Sequence, residues 1–136
     1  MTYDPLLISL PVADRARSRD FYRDGLGLEA TGELADDGVP EPLVFPLNAA
    51  TRLMLIPTGG FGWVLGDRRV AEPGTCECVL GLAVGSEDEV RQVVERARKA
   101  GATVGTEPAP QPWGYAATFA DPDGHVWTVT SAALPD

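Results

Sequence analysis

Side chains that bind metals or act as nucleophiles are scarce in this sequence. Its 136 residues include one histidine and two cysteines. His125 follows a glycine in a turn-like segment, so we interpret it as a surface or turn residue rather than a metal ligand, and no Ser-His-Asp triad is expected. Cys76 and Cys78 are separated by one residue, and a bridge between them would close only a small, strained loop. Two thiolates also fall short of the four ligands of structural zinc, so free, buried cysteines are the simplest interpretation.

Long apolar runs and basic blocks are also missing. No apolar stretch is long enough to span a bilayer, and no basic segment precedes the first apolar run, so we expect no signal peptide and a cytoplasmic protein. A formal net charge of -9 opposes nucleic-acid phosphates, so neither nucleic acid nor membrane is an expected partner. With 44% hydrophobic residues, the chain can bury one core, and we expect a single domain over residues 1–136.

The chain contains an internal duplication. Residues 7–12 read LISLPV and residues 79–84 read VLGLAV, and each is followed by a helix-like stretch and a glycine. Such a repeat indicates two copies of one structural unit. We place module one at about residues 5–57, module two at about 76–132, and a glycine-rich linker or loop over a site at about 58–75.

Local signals define the helices and the turns. Asp14 is a candidate N-cap of the first helix, which Gly25 or Gly27 ends. Ser86 and Glu89 form a capping box for the second helix, which Gly101 ends. Residues 121–124, DPDG, are typical of a hairpin turn. The second helix has an apolar face of Val90, Val93, Val94 and Ala97, and further strands are expected at about residues 43–47, 52–56, 115–120 and 125–130.

Several of these stretches carry a resemblance to a known family. The segments are Ser9 to Asp14, Ser18 with Phe21-Tyr22, Gly25-Leu26-Gly27, and Phe119 to Trp127. They resemble the glyoxalase/bleomycin-resistance/dioxygenase superfamily, also called vicinal oxygen chelate proteins, and most of all its small predicted lactoylglutathione lyases. The resemblance implies an α+β fold of two tandem β-α-β-β-β modules, whose mixed sheet curls around a cavity.

Strand alternation then assigns side chains to the two faces of that sheet. One face lies under the helices and the other faces the cavity. The helix-facing set is Ile8, Leu10, Val12, Leu80, Leu82, Val84, Trp127 and Val129, and the cavity-facing set is Leu7, Ser9, Pro11, Val79, Gly81, Ala83, Val126, Thr128 and Thr130.

Enzymes of this superfamily hold a divalent metal with His, Gln or Glu. The resemblance places the four ligand positions at Leu7, Met54, Val79 and Thr128. Aliphatic, thioether and hydroxyl side chains do not suit such an ion, which prefers imidazole, carboxylate or water oxygen. We therefore expect no metal and no other cofactor, and the metal-dependent mechanism of the family is in doubt.

The expected function follows from a cavity without metal ligands. Phe61 and Trp63 on the linker, with Trp113 and Tyr115 before the penultimate strand, could stack on a planar ligand, although they could also be core or dimer-interface residues. We predict a metal-free binding protein for a small aromatic compound such as an antibiotic, and a homodimer by resemblance. The predicted ligand-binding residues are Ser9, Met54, Phe61, Trp63, Trp113, Tyr115 and Thr128.

Two other classes of function stay open. The first is a glyoxalase- or dioxygenase-like enzyme with an atypical site, for which Ser9, Glu77, Tyr115 and Thr128 are the candidate residues. The second is a fold retained for interaction with another protein. No catalytic residue is assigned, because no set of side chains in the sequence forms a complete acid-base or nucleophilic site.

Overall fold

The computed structural model describes residues 1–132, within which it has seven strands and three helices. Among the described residues, no helix combines the length and the apolar character needed to cross a membrane. The elements are β1 (Leu6–Val12), α1 (Arg15–Leu26), β2 (Leu43–Asn48), β3 (Thr51–Pro57), α2 (Thr58–Leu65), β4 (Val79–Ala83), α3 (Glu87–Ala100), β5 (Thr103–Gln111), β6 (Gly114–Ala120) and β7 (Val126–Thr130).

Two mixed sheets follow the same plan. Their strand orders are β1-β3-β2 and β4-β7-β6-β5, and the first strand of each sheet pairs in parallel with the last strand of its module. Module two has the complete β-α-β-β-β order. In module one the strand expected after α1 is reduced to an isolated bridge between Thr31 and Val44, because prolines and glycines interrupt residues 32–42.

The predicted helix ends are confirmed. The Asp14 side chain accepts a hydrogen bond from the Arg17 N–H at 3.0 Å, and Gly27 ends α1 in the left-handed conformation. Ser86 Oγ accepts from the Glu89 N–H at 3.1 Å, and Glu89 Oε2 accepts in return from the Gly85 N–H at 2.6 Å. The capping box therefore forms, but the Glu89 side chain accepts from the Gly85 N–H instead of the N–H of the N-cap residue Ser86.

The two modules share one core on the helix-facing side of the sheets. Its largest buried side chains include Tyr22 and Phe45 from module one and Phe119 and Trp127 from module two. Helices α1 and α3 pack against each other over this core. Leu10, Val12, Trp127 and Val129 are buried and Ile8, Leu80, Leu82 and Val84 are half-buried. All eight pack in the core as predicted, but Leu10 and Leu80 also line the cavity described below.

A polar network lies inside this core. The Tyr22 hydroxyl donates to Asp121 Oδ2 at 2.5 Å and accepts from Trp127 Nε1 at 3.1 Å. Asp121 Oδ1 accepts from the backbone N–H groups of Asp123 and His125, both at 2.9 Å. One buried carboxylate thus joins α1 to the β6–β7 turn. In the sequence, Asp121 is recognisable only as part of the turn, and nothing near it indicates a contact with Tyr22.

This network predicts a loss of stability in alkaline solution. Burial, followed by the neighbouring Asp121 carboxylate, raises the pKa of Tyr22 well above 10.0. The unfolded chain therefore releases the Tyr22 proton at a lower pH than the folded chain does. The contribution of Tyr22 to stability is fully present below about pH 10 and is lost as the pH rises beyond it. Urea unfolding over a pH series should show this slope.

Two variants test the assignment of the slope to Tyr22. Tyr22→Phe should abolish this part of the pH dependence, although the variant is less stable at every pH. Tyr3→Phe changes a tyrosine that is 85% exposed and should keep it. Equal alkaline slopes in the wild type and Tyr22→Phe would contradict the prediction.

Candidate functional site

A cavity of about 410 Å³ lies where the two modules meet. Strand β1 contributes Ser9, Leu10 and Pro11, β4 contributes Leu80, and the β6–β7 turn with the start of β7 contributes residues 123–126. Much of the remaining wall comes from α2 and the segment that follows it, within residues 58–78. The segment interpreted as a linker or a loop over a site therefore lines the cavity.

Helix α2 within that segment was not predicted, because its sequence contains three glycines, which are poor helix formers. Phe61 and Leu65 are one helical turn apart and both line the cavity, while the helix packs on β1 and β3. A Cβ atom on Gly60 would lie only 3.3 Å from Ile56 Cγ2, so glycine permits this close approach. Tertiary packing thus outweighs the low helix propensity.

The cavity wall is attached to both modules. At one end the Thr58 hydroxyl donates to the Val12 carbonyl at 3.3 Å. Further along, a turn at residues 72–75 packs against Gly124, where a Cβ atom would lie 3.4 Å from Gly74 N. Gly124 also has a φ of 90°, so both its conformation and its contact favour glycine. These attachments hold the segment in place over the cavity.

His125 lies in the cavity wall and is half-buried. Its Nε2 lies 2.7 Å from the Pro11 carbonyl oxygen. Because a carbonyl only accepts, Nε2 carries the proton, and in the neutral ring Nδ1 is an acceptor. The prediction of a turn residue is correct, but the ring joins module two to β1 instead of lying free on the surface.

Two of the seven predicted ligand-binding residues, Ser9 and Phe61, line this cavity. Trp63 is two residues further along α2 and is 85% exposed, and Trp113, between β5 and β6, is 66% exposed. Neither tryptophan lines the cavity. The described part of the chain therefore does not bring these rings together around one ligand.

Tyr115 lies on the helix-facing side of β6, as do Ala117 and Phe119. Its hydroxyl accepts from Arg91 Nη1 at 2.9 Å, and the Arg91 guanidinium lies 5.4 Å from the centre of its ring. Tyr115 is thus engaged with α3, on the other side of the sheet from Thr128. Trp113 and Tyr115 therefore do not form the predicted pair, because Trp113 is exposed to solvent and Tyr115 contacts Arg91 of α3.

The strand register assigns equivalent positions to the two remaining residues, Met54 and Thr128. Met54 pairs with Ser9, two residues after Leu7. Thr128 pairs with Gly81, which is likewise two residues after Val79. Both side chains are half-buried and lie outside the cavity wall.

The register and the burial together show which β3 side chains face the core. A shift of one residue from Met54 would select Leu53 or Leu55, whose side chains are buried in the core. The four positions at which the resemblance implies metal ligands therefore hold leucine, methionine, valine and threonine. Within residues 1–132, no group of three or more His, Cys, Asp or Glu side chains is close enough to hold a metal ion. The donor atoms here do not fit the divalent metal that the resemblance implies.

Both cysteines are exposed, so the interpretation of buried free thiols is wrong. They come just before β4, which begins at Val79, and therefore no sheet face covers them. Cys76 and Cys78 line the cavity instead, together with the intervening Glu77.

The chain belongs to the Glyoxalase/Bleomycin resistance protein/Dioxygenase superfamily, whose model matches residues 5–129. The resemblance inferred from the sequence and the α+β two-module fold are thereby confirmed. No curated protein matches the chain in the sequence comparison.

Solved structures show similar folds. The chain is similar to hypothetical protein SA1046 from S. aureus, with 25% identity, coverage of 97% and 96% of the two chains, and a TM-score of 0.82. It is similar to a glyoxalase-related enzyme from Fulvimarina pelagi, with 26% identity, coverage of 92% and 85%, and a TM-score of 0.80. It is also similar to TnmS3, an antibiotic binding protein from Streptomyces sp. CB03234, with 26% identity, coverage of 98% of both chains, and a TM-score of 0.64.

Proposed function

We propose that this protein binds a small, partly aromatic molecule without a metal, and that sequestration of an antibiotic is the most specific form of this function. One observation carries the proposal: the chain retains the superfamily fold, while Leu7, Met54, Val79 and Thr128, at which the resemblance implies metal ligands, offer no suitable donor set. A fold with a cavity but without these donors supports binding better than metal-dependent catalysis.

The chemistry of the cavity supports a ligand with an aromatic body. Its volume is within the roughly 300–1,000 Å³ typical of small-molecule sites. Phe61 and Leu65 provide apolar surface, and an aromatic ligand stacked on Phe61 would gain about 0.5–1.5 kcal/mol beyond burial. Ser9 and His125 are among the polar groups of the wall that orient a ligand in such a site. The wall also contains charged side chains, namely Arg68, Arg69, Glu72, Glu77 and Asp123. The similarity to TnmS3 supports an antibiotic as the ligand.

We further propose that a second copy of the chain covers exposed apolar side chains on the first strands of the two modules, on α2 and in the β5–β6 turn. Leu7 and Val79 on the first strands of the two modules are 46% and 54% exposed, and Trp63 and Trp113 are more exposed still. Burial of such side chains between two copies stabilises a dimer. In this arrangement Trp63 and Trp113 act at the interface between the copies, outside the cavity.

The test combines metal content, oligomeric state and ligand binding. We expect purified protein incubated with Zn²⁺, Mn²⁺ or Ni²⁺ and then desalted to keep far less than one ion per chain by elemental analysis. Light scattering should give the mass of a dimer. Calorimetric titration with a panel of planar antibiotics and aromatic metabolites should identify a saturable ligand that needs no added metal.

The exposed thiols require a matched control in this test. The same metal analysis on the Cys76→Ser/Cys78→Ser variant separates an ion held by the two cysteines from one held elsewhere. A stoichiometric ion that persists in this variant and is required for ligand binding would overturn the metal-free proposal. A monomer by light scattering would overturn the proposed pairing alone.

An enzyme with an atypical site is the second candidate. The observation that favours it is the presence of His125, Ser9 and Glu77 in the wall of one cavity, where an imidazole with Nδ1 as acceptor is a possible general base. The similarity to the Fulvimarina pelagi glyoxalase-related enzyme points the same way. Turnover of thiohemiacetals or catechols that is lost in His125→Ala would support this candidate over simple binding.

A further inference from the structure

The cavity wall contains two thiols that the proposed function does not use. Cys76 and Cys78 are both exposed, and both line the cavity. Cys76 Sγ lies 3.1 Å from the carbonyl oxygen of Cys78, so this side chain is folded toward its neighbour. We propose that Cys76 and Cys78 form a reversible intramolecular disulfide when the protein is oxidised. The proposal needs neither the ligand nor the dimer described above.

A bridge between residues this close in the chain depends on the local backbone. In a fully extended chain, residues two apart have Cα atoms about 6.6–7.2 Å apart. This is at the upper limit of the roughly 4.4–6.8 Å found in disulfides. Here the backbone bends at Glu77, and the Cys76 Sγ atom reaches to 3.1 Å from the Cys78 carbonyl oxygen. The Cys76 side chain is thus directed along the chain toward Cys78, whereas a side chain in a regular strand stands roughly perpendicular to the sheet.

The flanking structure keeps this bend in place. On one side, Cys78 directly precedes β4, whose Val79 pairs with Val126. On the other side, the 72–75 turn packs against Gly124 of module two. The folded protein thus holds both ends of the three-residue segment, and the Cys76 thiol has only to leave its hydrogen bond to the Cys78 carbonyl to approach the second sulfur.

The reaction balances with hydrogen peroxide as the oxidant. The thiolate of one cysteine attacks a peroxide oxygen, the O–O bond breaks, and a sulfenic acid and one water form. The second thiolate then attacks the sulfenic sulfur and displaces hydroxide, which leaves as the second water after protonation. Two thiols and one peroxide give one disulfide and two waters. Because the ring is small and strained, thiols should reduce it readily.

The test uses intact, folded protein treated with one equivalent of hydrogen peroxide. We expect the wild type to lose two hydrogen atoms by non-reducing mass spectrometry and both thiols by thiol titration, with recovery in glutathione. Trypsin should release residues 70–91 as one peptide that contains both cysteines and the bridge, because no Lys or Arg lies between Arg69 and Arg91.

Single variants separate the bridge from independent oxidation. Cys76→Ser and Cys78→Ser each keep one thiol and should accumulate a sulfenic acid that dimedone traps, with wild-type labelling about 10-fold lower because the second thiol consumes the intermediate. Equal labelling of the wild type and the single variants, covalent dimers on a non-reducing gel, or a bridge that glutathione cannot reduce would each overturn the proposal.

Discussion

Replacing Asp121 with alanine is expected to lower the free energy of unfolding by about 3–5 kcal/mol, because three donors lose their acceptor at once and each buried unpaired group costs about 1–3 kcal/mol. The Asp121 side chain accepts from the Tyr22 hydroxyl and from the backbone N–H groups of Asp123 and His125. The residue is only 4% exposed, so water cannot readily replace the carboxylate. Urea unfolding, followed by circular dichroism, measures the change.

Two variants show whether the loss comes from the network. Tyr22→Phe removes one hydroxyl and leaves Trp127 Nε1 without its acceptor, so it should cost about 1–3 kcal/mol. Asp36→Ala changes an exposed carboxylate in a loop and should stay within about 0.5 kcal/mol of the wild type. If Asp121→Ala were as stable as Asp36→Ala, the network would not be what joins α1 to the β6–β7 turn.

The fold could be predicted because its signals are local and occur twice. The Ser86–Glu89 cap, the 121–124 turn and the repeated first strand each depend on residues close together in the sequence. The reduced strand of module one and helix α2 could not be predicted in the same way. The first is interrupted by prolines and glycines, and the second forms through its packing against Ile56 despite a sequence that disfavours a helix.

The site was predicted less completely, because it depends on contacts between distant residues. Tyr22 and Asp121 are 99 residues apart, and Pro11 and His125 are 114 apart. No local pattern indicates either pair. Alternation did predict that Trp127 and Val129, on either side of Thr128, are buried in the core, since side chains alternate in twos along a strand. Alternation could not show that Trp113 is exposed, because this residue lies in the turn between β5 and β6, where the two-residue period of a strand does not apply.

The native tryptophans are poor reporters for the proposed ligand. Trp127 is buried in the core, and Trp63 and Trp113 are exposed outside the cavity. Quenching of their fluorescence would combine binding in the cavity with binding at the surface. A Phe61→Trp variant in a Trp63→Phe background adds an indole to the cavity wall. A saturable change in its emission would report occupancy of the cavity itself.

Once such a ligand is identified, Phe61→Ala is expected to weaken its binding about 10- to 100-fold. This corresponds to a loss of about 1.4–2.8 kcal/mol of binding free energy. The truncation removes the ring that forms the apolar surface of α2 toward the cavity, and burial of a phenylalanine side chain against a partner contributes about this amount. Trp63→Ala is the matched control, because it removes a larger ring two residues along the same helix but outside the cavity. Its affinity should stay within about twofold of the wild type, well under the 1.4 kcal/mol of a tenfold change. Calorimetric titration of both variants measures the two affinities. The reverse pattern, with Trp63→Ala weak and Phe61→Ala unaffected, would move the ligand from the cavity to the exposed surface and make the second copy of the chain its other wall.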